Sequence, residues 1–452
     1  MKNSRHDLTR GSVLANLLHL AVPSFCSQLL QDLFNVVDMI FVGRLGASAL
    51  AAVAMSANLL RLIGILGHGI STGTVILVAQ SLGANKPEDG QRIAMQALIL
   101  SLVCGLVIGG LGYPLAESGL GLLGAEKDVI SPGISYLQVT LLGLVLMFLS
   151  RTLNAIFRAA GDAITPMIVL VCATILNIVL DPLLIFGIWL FPPLGIVGSA
   201  YATLISRGVS VVMLLSFCLG GQGVIGLSGV KPGVNLKIMG QIMKLGIFTS
   251  MQALLRHSSR LAFIRVVAFF GTDAVAAYAI SMRLRILVMH FGTAFSTAVG
   301  PMVGQNLGAN RLDRVEQSVQ LGSRLAAVVV MLVGVVIFII PHYFVGWFTH
   351  QRSVLEIGSV YLRYLAATFG FMVVSNVLGR ALNGAGDTIS PMIVTGISQL
   401  FIGLVLVLVL SRLIGIVGIW IGIALSNIVQ CLMMGLWYQR GEWRSKKQAY
   451  EL

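Results

Sequence analysis

The chain has 452 residues, of which 57% are hydrophobic and 10% are charged, and its formal net charge is +13. So few charged residues cannot cover a water-soluble globule of this length, which excludes an ordinary soluble domain and indicates a membrane-embedded protein. The apolar runs are continuous rather than alternating, which favours transmembrane helices over a β-barrel.

Apolar stretches of about 20 residues, long enough to cross a bilayer, recur along the whole sequence. Twelve spans are predicted, six in each half, and examples are residues 93–116, 129–150, 392–411 and 413–439. The run that begins at Val13 resembles a signal sequence, but it lacks a small-residue cleavage site and continues to full span length. It is therefore interpreted as the first span, retained in the protein.

Two motifs occur twice at one separation. Residues 80–85, QSLGAN, return 225 positions later as QNLGAN, and residues 161–169, GDAITPMIV, return at the same offset as GDTISPMIV. Residues 46–52 have a third counterpart at this offset. The two halves are therefore copies of one module, and because six spans are an even number, both copies have the same orientation in the membrane.

The predicted fold is thus all-α and integral to the membrane, with two parallel six-helix bundles related by a pseudo-two-fold axis along the membrane normal. The predicted parts are an N-terminal lobe of residues 1–220, a cytoplasmic linker of residues 221–240 and a C-terminal lobe of residues 241–452.

Lys and Arg near span ends are retained on the cytoplasmic side. This rule predicts both termini in the cytoplasm of a multi-pass protein of the plasma (inner) membrane, with Glu117, Glu126 and Asp128 outside. It also explains the positive charge without a nucleic-acid partner, since no aromatic-basic platform accompanies it. The basic residues on the cytoplasmic side are Lys2, Arg5, Arg10, Lys86, Arg92, Lys231, Lys237, Arg311, Arg314, Arg440, Arg444, Lys446 and Lys447.

Enzyme signatures are missing from the sequence. It contains no GxxxxGK[ST] or HExxH motif, so we expect neither an enzyme nor an ATPase. No cofactor or metal site is expected, and a monomer is expected because no motif demands a protein partner. The cysteines lie singly within spans and are interpreted as inert apolar residues: Cys26, Cys104, Cys172, Cys218 and Cys431.

Asp38 is the sharpest functional candidate, because an ionisable group within a span costs about 2.5–3.5 kcal/mol or more. It ends a polar stripe on the first span that includes Gln28, Gln31 or Asp32, and Asn35, spaced to lie on one helix face. Pro23, fifteen residues earlier, predicts a kink. A simpler interpretation is that Asp38 caps the span or reaches the interface beside Arg44.

Asn177 and Asp181 lie one turn apart on the fifth span, directly before Pro182. Two carboxylates brought together in an apolar bundle cannot both stay ionised cheaply, so Asp38 and Asp181 would share a proton or hold a cation. The alternative is that Asp181 and Pro182 simply end a helix.

The C-terminal half has a different charge pattern. The position that repeats Asp38 is Phe263, and the position that repeats Gln31 is Arg256. The arginines of spans seven and eight either line a cationic cavity or serve a structural role, and they are Arg256, Arg260, Arg265, Arg283 and Arg285. The lone histidines His68, His257 and His290 are interpreted as packing residues. In the repeated turns, Gly161 and Gly386 are predicted to end a helix, while Asp162 and Asp387 cap the next.

These motifs together resemble the MATE multidrug and toxic-compound exporters over nearly the whole chain. The resemblance rests on parallel six-helix halves, a first span reading AVP and then NVVD, the QSLGAN loop and the paired GDxxxP turns. The DinF-like branch is the most similar, because Pro23 and Asp38 keep its spacing and Asn177 and Asp181 match its pair. In the NorM-like branch a glutamate stands where this chain has Arg256, so no ion site is expected in the C-terminal half.

The resemblance implies an antiporter that exports organic, often cationic and amphipathic compounds while protons or sodium ions enter. Asp38, Asn177 and Asp181 would then bind the coupling ion, with a hydroxyl from Thr203 in preference to Ser199. Pro23 would act as the hinge of the first span, and Gln31, Asn35 and Arg256 would line the substrate cavity.

Two other functions remain possible on the sequence alone. A flippase or exporter of a lipid-linked or anionic substrate would share the repeats and an arginine-lined cavity. A receptor or channel would need no switch between Pro23 and Asp38. The sequence names neither the substrate nor the coupling ion.

Overall fold

The computed structural model describes residues 7–188, 191–220, 226–227 and 233–445. The basic residues Lys2, Arg5, Lys231, Lys446 and Lys447, and most of the predicted linker, lie outside the described residues. The described chain is all-helical, without strands, as predicted.

Eleven helices of the described chain are long and apolar enough to cross a membrane, and one bent pair brings the number to twelve. This agrees with the predicted span count. Large apolar side chains point outward along these helices; Leu332 and Phe401, for example, are 65% and 67% exposed. A belt of this kind is stable only against lipid.

Eight helices occur in the described residues of the first repeat. Their bounds are α1 Val13–Gly43, α2 Ala47–Gly83, α3 Pro87–Gly112, α4 Ala116–Leu122, α5 Lys127–Leu142, α6 Leu144–Ala159, α7 Ile164–Phe186 and α8 Ile196–Leu219. The predicted fourth span is not one straight helix, since α5 and α6 meet at Gly143 with a bend of 45°. The predicted fifth and sixth spans correspond to α7 and α8.

The second repeat, as far as the structure describes it, has another eight α-helices, a π-helix and a short 3₁₀-helix. Their bounds are α9 Leu236–Ala268, α10 Thr272–Gly308, α11 Leu312–Ile339, α12 Pro341–Gly346, α13 Arg352–Gly384, α14 Ile389–Thr395, the π-helix Gly396–Ile402, α15 Gly403–Ile414, α16 Ile416–Gln439 and the 3₁₀-helix Glu442–Ser445. The predicted seventh and eighth spans correspond to α9 and α10.

The repeated motifs form repeated turns. Asn85 and Asn310 both have φ of 59°, a left-handed conformation that ends α2 and α10. Gly161 and Gly386 have φ of 88° and 94°, where glycine is strongly favoured. Asp162 accepts hydrogen bonds from the backbone N–H groups of residues 164 and 165, at 3.0 and 2.9 Å. The predicted stop and cap are thus confirmed.

Contacts divide the chain into two compact units. The first unit contains Cys26–Ile247 and the second contains Leu8–Phe25 and Phe248–Glu451. The division therefore falls within α1, close to Pro23, and within α9. The lobe boundaries expected from the sequence stay a prediction.

In the second unit, the segment before α1 is fixed by side chains that follow the repeated QNLGAN motif. Arg314 donates to the carbonyl oxygens of Gly11 and Arg10 at 3.0 and 3.2 Å, and Arg311 donates to that of Thr9 at 2.8 Å. The ring of Phe25 packs on that of Phe291, with centroids 4.7 Å apart. These bonds satisfy a stretch of backbone that has no helix of its own.

Candidate functional site

Asp38 is held by a hydroxyl in the first unit. The Oγ of Ser199, in the first turn of α8, donates a hydrogen bond to Oδ1 of Asp38 on α1. Asp38 is partly buried, whereas Ser199 has no exposed surface. The bond joins residues 161 positions apart, so two helices from opposite ends of the repeat position this carboxyl group.

Asn177 and Asp181 lie together on α7, and both side chains are fully buried. The Nδ2 of Asn177 donates to Oδ1 of Asp181 at 3.3 Å. Among the described residues, Oδ1 of Asn177 and Oδ2 of Asp181 have no hydrogen-bond partner. Two oxygen acceptors therefore remain available for a proton or a cation in a region from which water is largely excluded.

Asp38 and Asp181 are close enough to interact electrostatically. The predicted sharing of a proton or a cation by these two carboxyl groups stays a prediction. We call Asp38, Asn177, Asp181 and Ser199 the acidic centre. Buried like charges repel strongly, so the two carboxyl groups favour a shared proton or a bound cation.

Two further residues reach the acidic centre without having been predicted. Tyr136 on α5 is 8% exposed and interacts electrostatically with Asp38 and Asp181. Arg207 on α8 interacts with Asp38 and Tyr136. An internal cation near Asp38 offsets part of its charge. No motif marks either residue, but Arg207 lies two turns after Ser199, a spacing that could have indicated the same helix face.

The predicted hydroxyl needs correction. Thr203 was preferred over Ser199, yet Ser199 is the residue that bonds to Asp38. Thr203 lies one turn further along α8 and is only partly buried, whereas Ser199 and Ser206 are fully buried. The rotation of α8 about its axis decides this choice, and that rotation depends on packing rather than on sequence spacing.

The other predicted residues are distributed over both units. Gln31 and Asn35 are exposed on α1, and neither forms a hydrogen bond to Asp38 within the described chain. Pro23 is buried inside α1, which continues as a helix through it. Arg256 lies on α9 in the second unit, and the residues of the acidic centre belong to the first unit.

Arg256 belongs to a group of like charges. It interacts electrostatically with Arg260, one turn later on α9, and with Arg380 on α13. We call Arg256, Arg260 and Arg380 the arginine cluster. Phe263, which repeats the position of Asp38, is 3% exposed and packs in the apolar interior. The second unit therefore has no counterpart of the acidic centre at the repeated position.

No group of three or more His, Cys, Asp or Glu side chains that could hold a metal ion occurs in the part of the chain that the structure describes. The coupling-ion role of Asp38, Asn177 and Asp181 stays a prediction.

A family comparison agrees with the duplication. The family model named MatE matches residues 23–183 and, a second time, residues 249–409. The chain belongs to the MatE family. Members of this family are membrane transporters.

Individual relatives agree with this assignment. The chain is 26% identical over 433 residues to the Thermotoga maritima protein named "Probable multidrug resistance protein NorM", covering 95% of this chain and 93% of that protein. It is also 26% identical over 438 residues to a Shewanella oneidensis protein named "FAD transporter", covering 96% and 95%. A crystal structure described as MATE in the bent conformation has a TM-score of 0.91 at 24% identity, covering 98% of each chain.

Proposed function

We propose that this protein is a secondary antiporter that exports small organic compounds, cationic and amphipathic ones among them, in exchange for protons or sodium ions. The observation that carries the proposal is the acidic centre, where Asp181 and Asn177 keep buried oxygen atoms without partners beside Asp38. Family membership and the multidrug resistance name of a relative support the transport of small molecules.

The coupling follows from charge. When the acidic centre holds a proton or a sodium ion, the repulsion between its two carboxyl groups is reduced, and so is their attraction for a substrate cation. When that ion leaves, the centre becomes negative and favours an organic cation instead. Two ligands that bind mutually exclusive states of one site are exchanged across the membrane by alternating access. Pro23 in α1 would serve as the hinge, because proline removes a backbone hydrogen bond from the helix.

The experiment that tests the proposal is transport in proteoliposomes. Flux of a fluorescent cationic dye is measured under an imposed pH gradient and then under a sodium gradient at fixed pH. The wild type is expected to transport under at least one gradient, which names the ion, and Asp38→Asn is expected to abolish the gradient-driven flux. A matched control is Asp128→Asn, since Asp128 is an exposed carboxylate in the first turn of α5.

Normal gradient-driven flux in Asp38→Asn would contradict the proposal. If the wild type shows no flux under either gradient although the protein is folded, the dye is not a substrate or the protein is not an antiporter. The same liposomes loaded with an anionic dye then separate these two explanations.

A second candidate is the export of an anionic or lipid-linked substrate. The arginine cluster favours it, because three guanidinium groups repel organic cations. The relative named "FAD transporter" is in agreement with an anionic cargo. Survival under drug exposure, compared with failure of envelope assembly in a deletion strain, would distinguish a drug exporter from a lipid-linked precursor flippase.

For the membrane arrangement, we propose a monomer in the plasma (inner) membrane with both termini in the cytoplasm. The positive-inside rule supports this orientation. Reporter fusions at residue 452 and at the loop around Asp128 should report the cytoplasm and the outside, respectively.

A further inference from the structure

A set of hydrogen-bonded polar side chains lies at the π-helix of the second unit. Gln399, in the π-helix, donates to Oδ1 of Asn427 at 3.1 Å and to Oε1 of Gln430 at 2.9 Å, and both acceptors are on α16. Nε2 of Gln430 donates to Oγ1 of Thr395 at 3.3 Å, and Nε2 of Gln252, on α9, donates to the same oxygen at 3.1 Å. We call Gln252, Thr395, Gln399, Asn427 and Gln430 the amide network.

The direction of these hydrogen bonds is fixed from one end of the network. The Thr395 hydroxyl donates its proton to the carbonyl oxygen of Pro391 at 2.7 Å, so its oxygen can only accept from the amides. Gln430 must therefore present Nε2 to Thr395 and Oε1 to Gln399. It follows that Gln399 donates through Nε2 and that Asn427 receives this bond on Oδ1. The remaining polar atom of Asn427 is consequently a donor, Nδ2.

This donor of Asn427 is buried and unused. The residue is 3% exposed, and Nδ2 has no hydrogen-bond partner among the described residues. Buried polar groups without a partner are rare and call for an explanation. Because Oδ1 of the same side chain is already paired, the position lacks a hydrogen-bond acceptor rather than a donor.

The neighbouring amides are reached from the interior of the unit. Gln399 and Gln430 are half-buried and retain accessible surface. Ile397 and Phe401 are 37% and 67% exposed, and each lies two positions from Gln399, so the lipid-facing side of the π-helix is opposite this amide. Leu432, which is 59% exposed, lies two positions from Gln430 in the same way. A ligand would therefore reach the network from within the protein and not from the lipid.

The amide network also lies near the middle of its span. Asn427 is the twelfth of the 24 residues of α16, so about 17 Å of helix separates it from either end. Ester carbonyl groups of lipids lie in the interfacial regions of the bilayer, outside the hydrocarbon core. The missing acceptor at this depth is therefore supplied by a compound that enters the protein.

The network is specific to the second repeat. Gln399 stands where the first repeat has Thr174, and Asn427 stands where it has Ala202. The helix of the first repeat that contains Thr174 is a continuous α-helix, whereas the second repeat has the π-helix here. π-Helices are rare and are frequently found at functional sites. The shared fold therefore does not require these amides, which favours a function of the second unit alone.

We propose that the second unit contains a recognition site for an uncharged oxygen acceptor, in which Nδ2 of Asn427 donates to the carbonyl oxygen of an amide, ketone or ester group in a small organic compound. Gln399 and Gln430 are positioning residues, because their hydrogen bonds fix which atom of Asn427 is the donor. One neutral donor fits one neutral acceptor, whereas an oxyanion is bound by several charge-assisted bonds. The inference deepens the proposed transport function, on which its meaning as a substrate site rests.

Binding is tested on the purified full-length protein in nanodiscs of ether-linked phosphatidylcholine, which has no ester carbonyl, without any ion gradient. The probe is N,N-dimethylbenzamide, and the comparator is N,N-dimethylthiobenzamide, in which sulfur replaces the carbonyl oxygen. Equilibrium dialysis against empty nanodiscs corrects for partition into lipid. The amide is expected to bind about tenfold more tightly, because sulfur is a weak acceptor. Equal affinities, or no saturable binding of the amide, would overturn the proposal.

Variants assign the preference to Asn427. Asn427→Leu and Asn427→Ala both remove the donor, and alanine is the residue that the first repeat has at this position. In both variants the amide and the thioamide are expected to bind equally, and the ratio of the two affinities is insensitive to a general change in packing. The control is Ser426→Ala, since the Ser426 hydroxyl donates to the carbonyl oxygen of Ile423 outside the network. A tenfold ratio that persists in both Asn427 variants would overturn the site.

The hydrogen bond can also be observed directly by infrared spectroscopy. The amide is labelled isotopically at its carbonyl carbon, and the difference between spectra with labelled and unlabelled probe isolates its stretching band. Bound to the wild type, this band is expected at lower frequency than in lipid alone, because donation by Asn427 weakens the carbonyl bond. In Asn427→Leu the shift should disappear. The same shift in the variant would contradict a bond from Asn427.

Benzoate tests whether the ligand is uncharged. It has the same ring with a carboxylate, and it is expected to bind at least about tenfold more weakly than the amide, because its charge is costly to bury. Tighter binding of benzoate would overturn the assignment to a neutral acceptor.

Asp38→Asn separates this proposal from the proposed transport function. The variant should keep the preference for the amide over the thioamide although its gradient-driven flux is lost. A wild type that shows the preference but no flux would contradict only the transport function, and flux without the preference would contradict only the site.

Discussion

The two repeats have kept the same turns but have different polar interiors. In the first unit, Asp38 and Asp181 form a centre of acceptors, whereas in the second unit the repeated position is the buried Phe263, on the same helix as Arg256. Tyr136 and Tyr361 stand at equivalent positions, 225 residues apart, and one lies beside carboxylates while the other lies beside guanidinium groups. The two copies have therefore kept the same backbone turns, whereas the interior of the first unit contains carboxyl groups and that of the second contains guanidinium groups.

The largest loss of stability is expected when a carboxylate is introduced into the second unit, at the position that repeats Asp38. Phe263→Asp would bury a carboxylate where no serine equivalent to Ser199 is available, and it would also remove an aromatic ring from the packed interior. We expect a loss of about 5 kcal/mol or more in folding stability, so that little folded protein accumulates. Fluorescence-detected size exclusion measures this amount.

Phe263→Leu is the control for that substitution, with an expected loss of about 1.5 kcal/mol or less. If the aspartate variant accumulates like the leucine variant, the second unit accepts a buried carboxylate, and the two interiors do not differ in this respect.

An intermediate effect is expected from the hydroxyl that supports Asp38. Ser199→Ala removes a hydrogen bond to a carboxyl group, which contributes about 1.5–3 kcal/mol. The apparent affinity for the coupling ion should change by about tenfold to a hundredfold. Flux as a function of ion concentration provides the measurement.

Thr203→Val serves as the comparison, because Thr203 is not the residue that bonds to Asp38. It should leave the ion affinity close to that of the wild type. If Thr203→Val changed the ion affinity more than Ser199→Ala, Thr203 would be the functional hydroxyl, as the sequence predicted.

The smallest effect concerns the turns that the two repeats share. Asp162→Ala removes the cap of α7 and should cost about 1 kcal/mol. Asp387→Ala should cost more, because Asp387 is 2% exposed and also accepts a hydrogen bond from the Ser390 hydroxyl at 2.6 Å. Thermal unfolding in detergent compares the two variants, and a larger loss at Asp162 would contradict the described geometry.

Structural features that depend on residues close together in the sequence were easier to predict than features that depend on contacts between distant helices. The repeated turns were predictable because Gly161, Asp162 and their copies act within a few residues of backbone. An interaction between Asp38 and Asp181 was expected from the sequence, because ionisable residues within apolar spans are rare and two of them in one bundle are expected to lie close together. Family resemblance supplied the coupling roles, which stay predictions.

Other features depend on tertiary packing. Ser199 rather than Thr203 bonds to Asp38 because of the rotation of α8, which no local pattern determines. The bend at Gly143 was missed because a glycine within an apolar run looks like any other small residue of a transmembrane helix. Tyr136 and Arg207 carry no motif, so only the packing of α5 and α8 reveals that they reach the carboxyl groups.

The position of the segment Leu8–Phe25 has a consequence for the origin of the protein. This segment is part of the second unit, while the beginning of α9, up to Ile247, is part of the first unit. The first helix of each repeat therefore begins in the unit that contains most of the other repeat. A gene cut between the repeats would encode two polypeptides, neither of which contains a whole unit. A protein with a single repeat would need a second copy to form a whole unit, and the two copies would exchange these helix segments as in a domain-swapped dimer. Fusion of two copies into one chain would supply both helix segments within a single polypeptide.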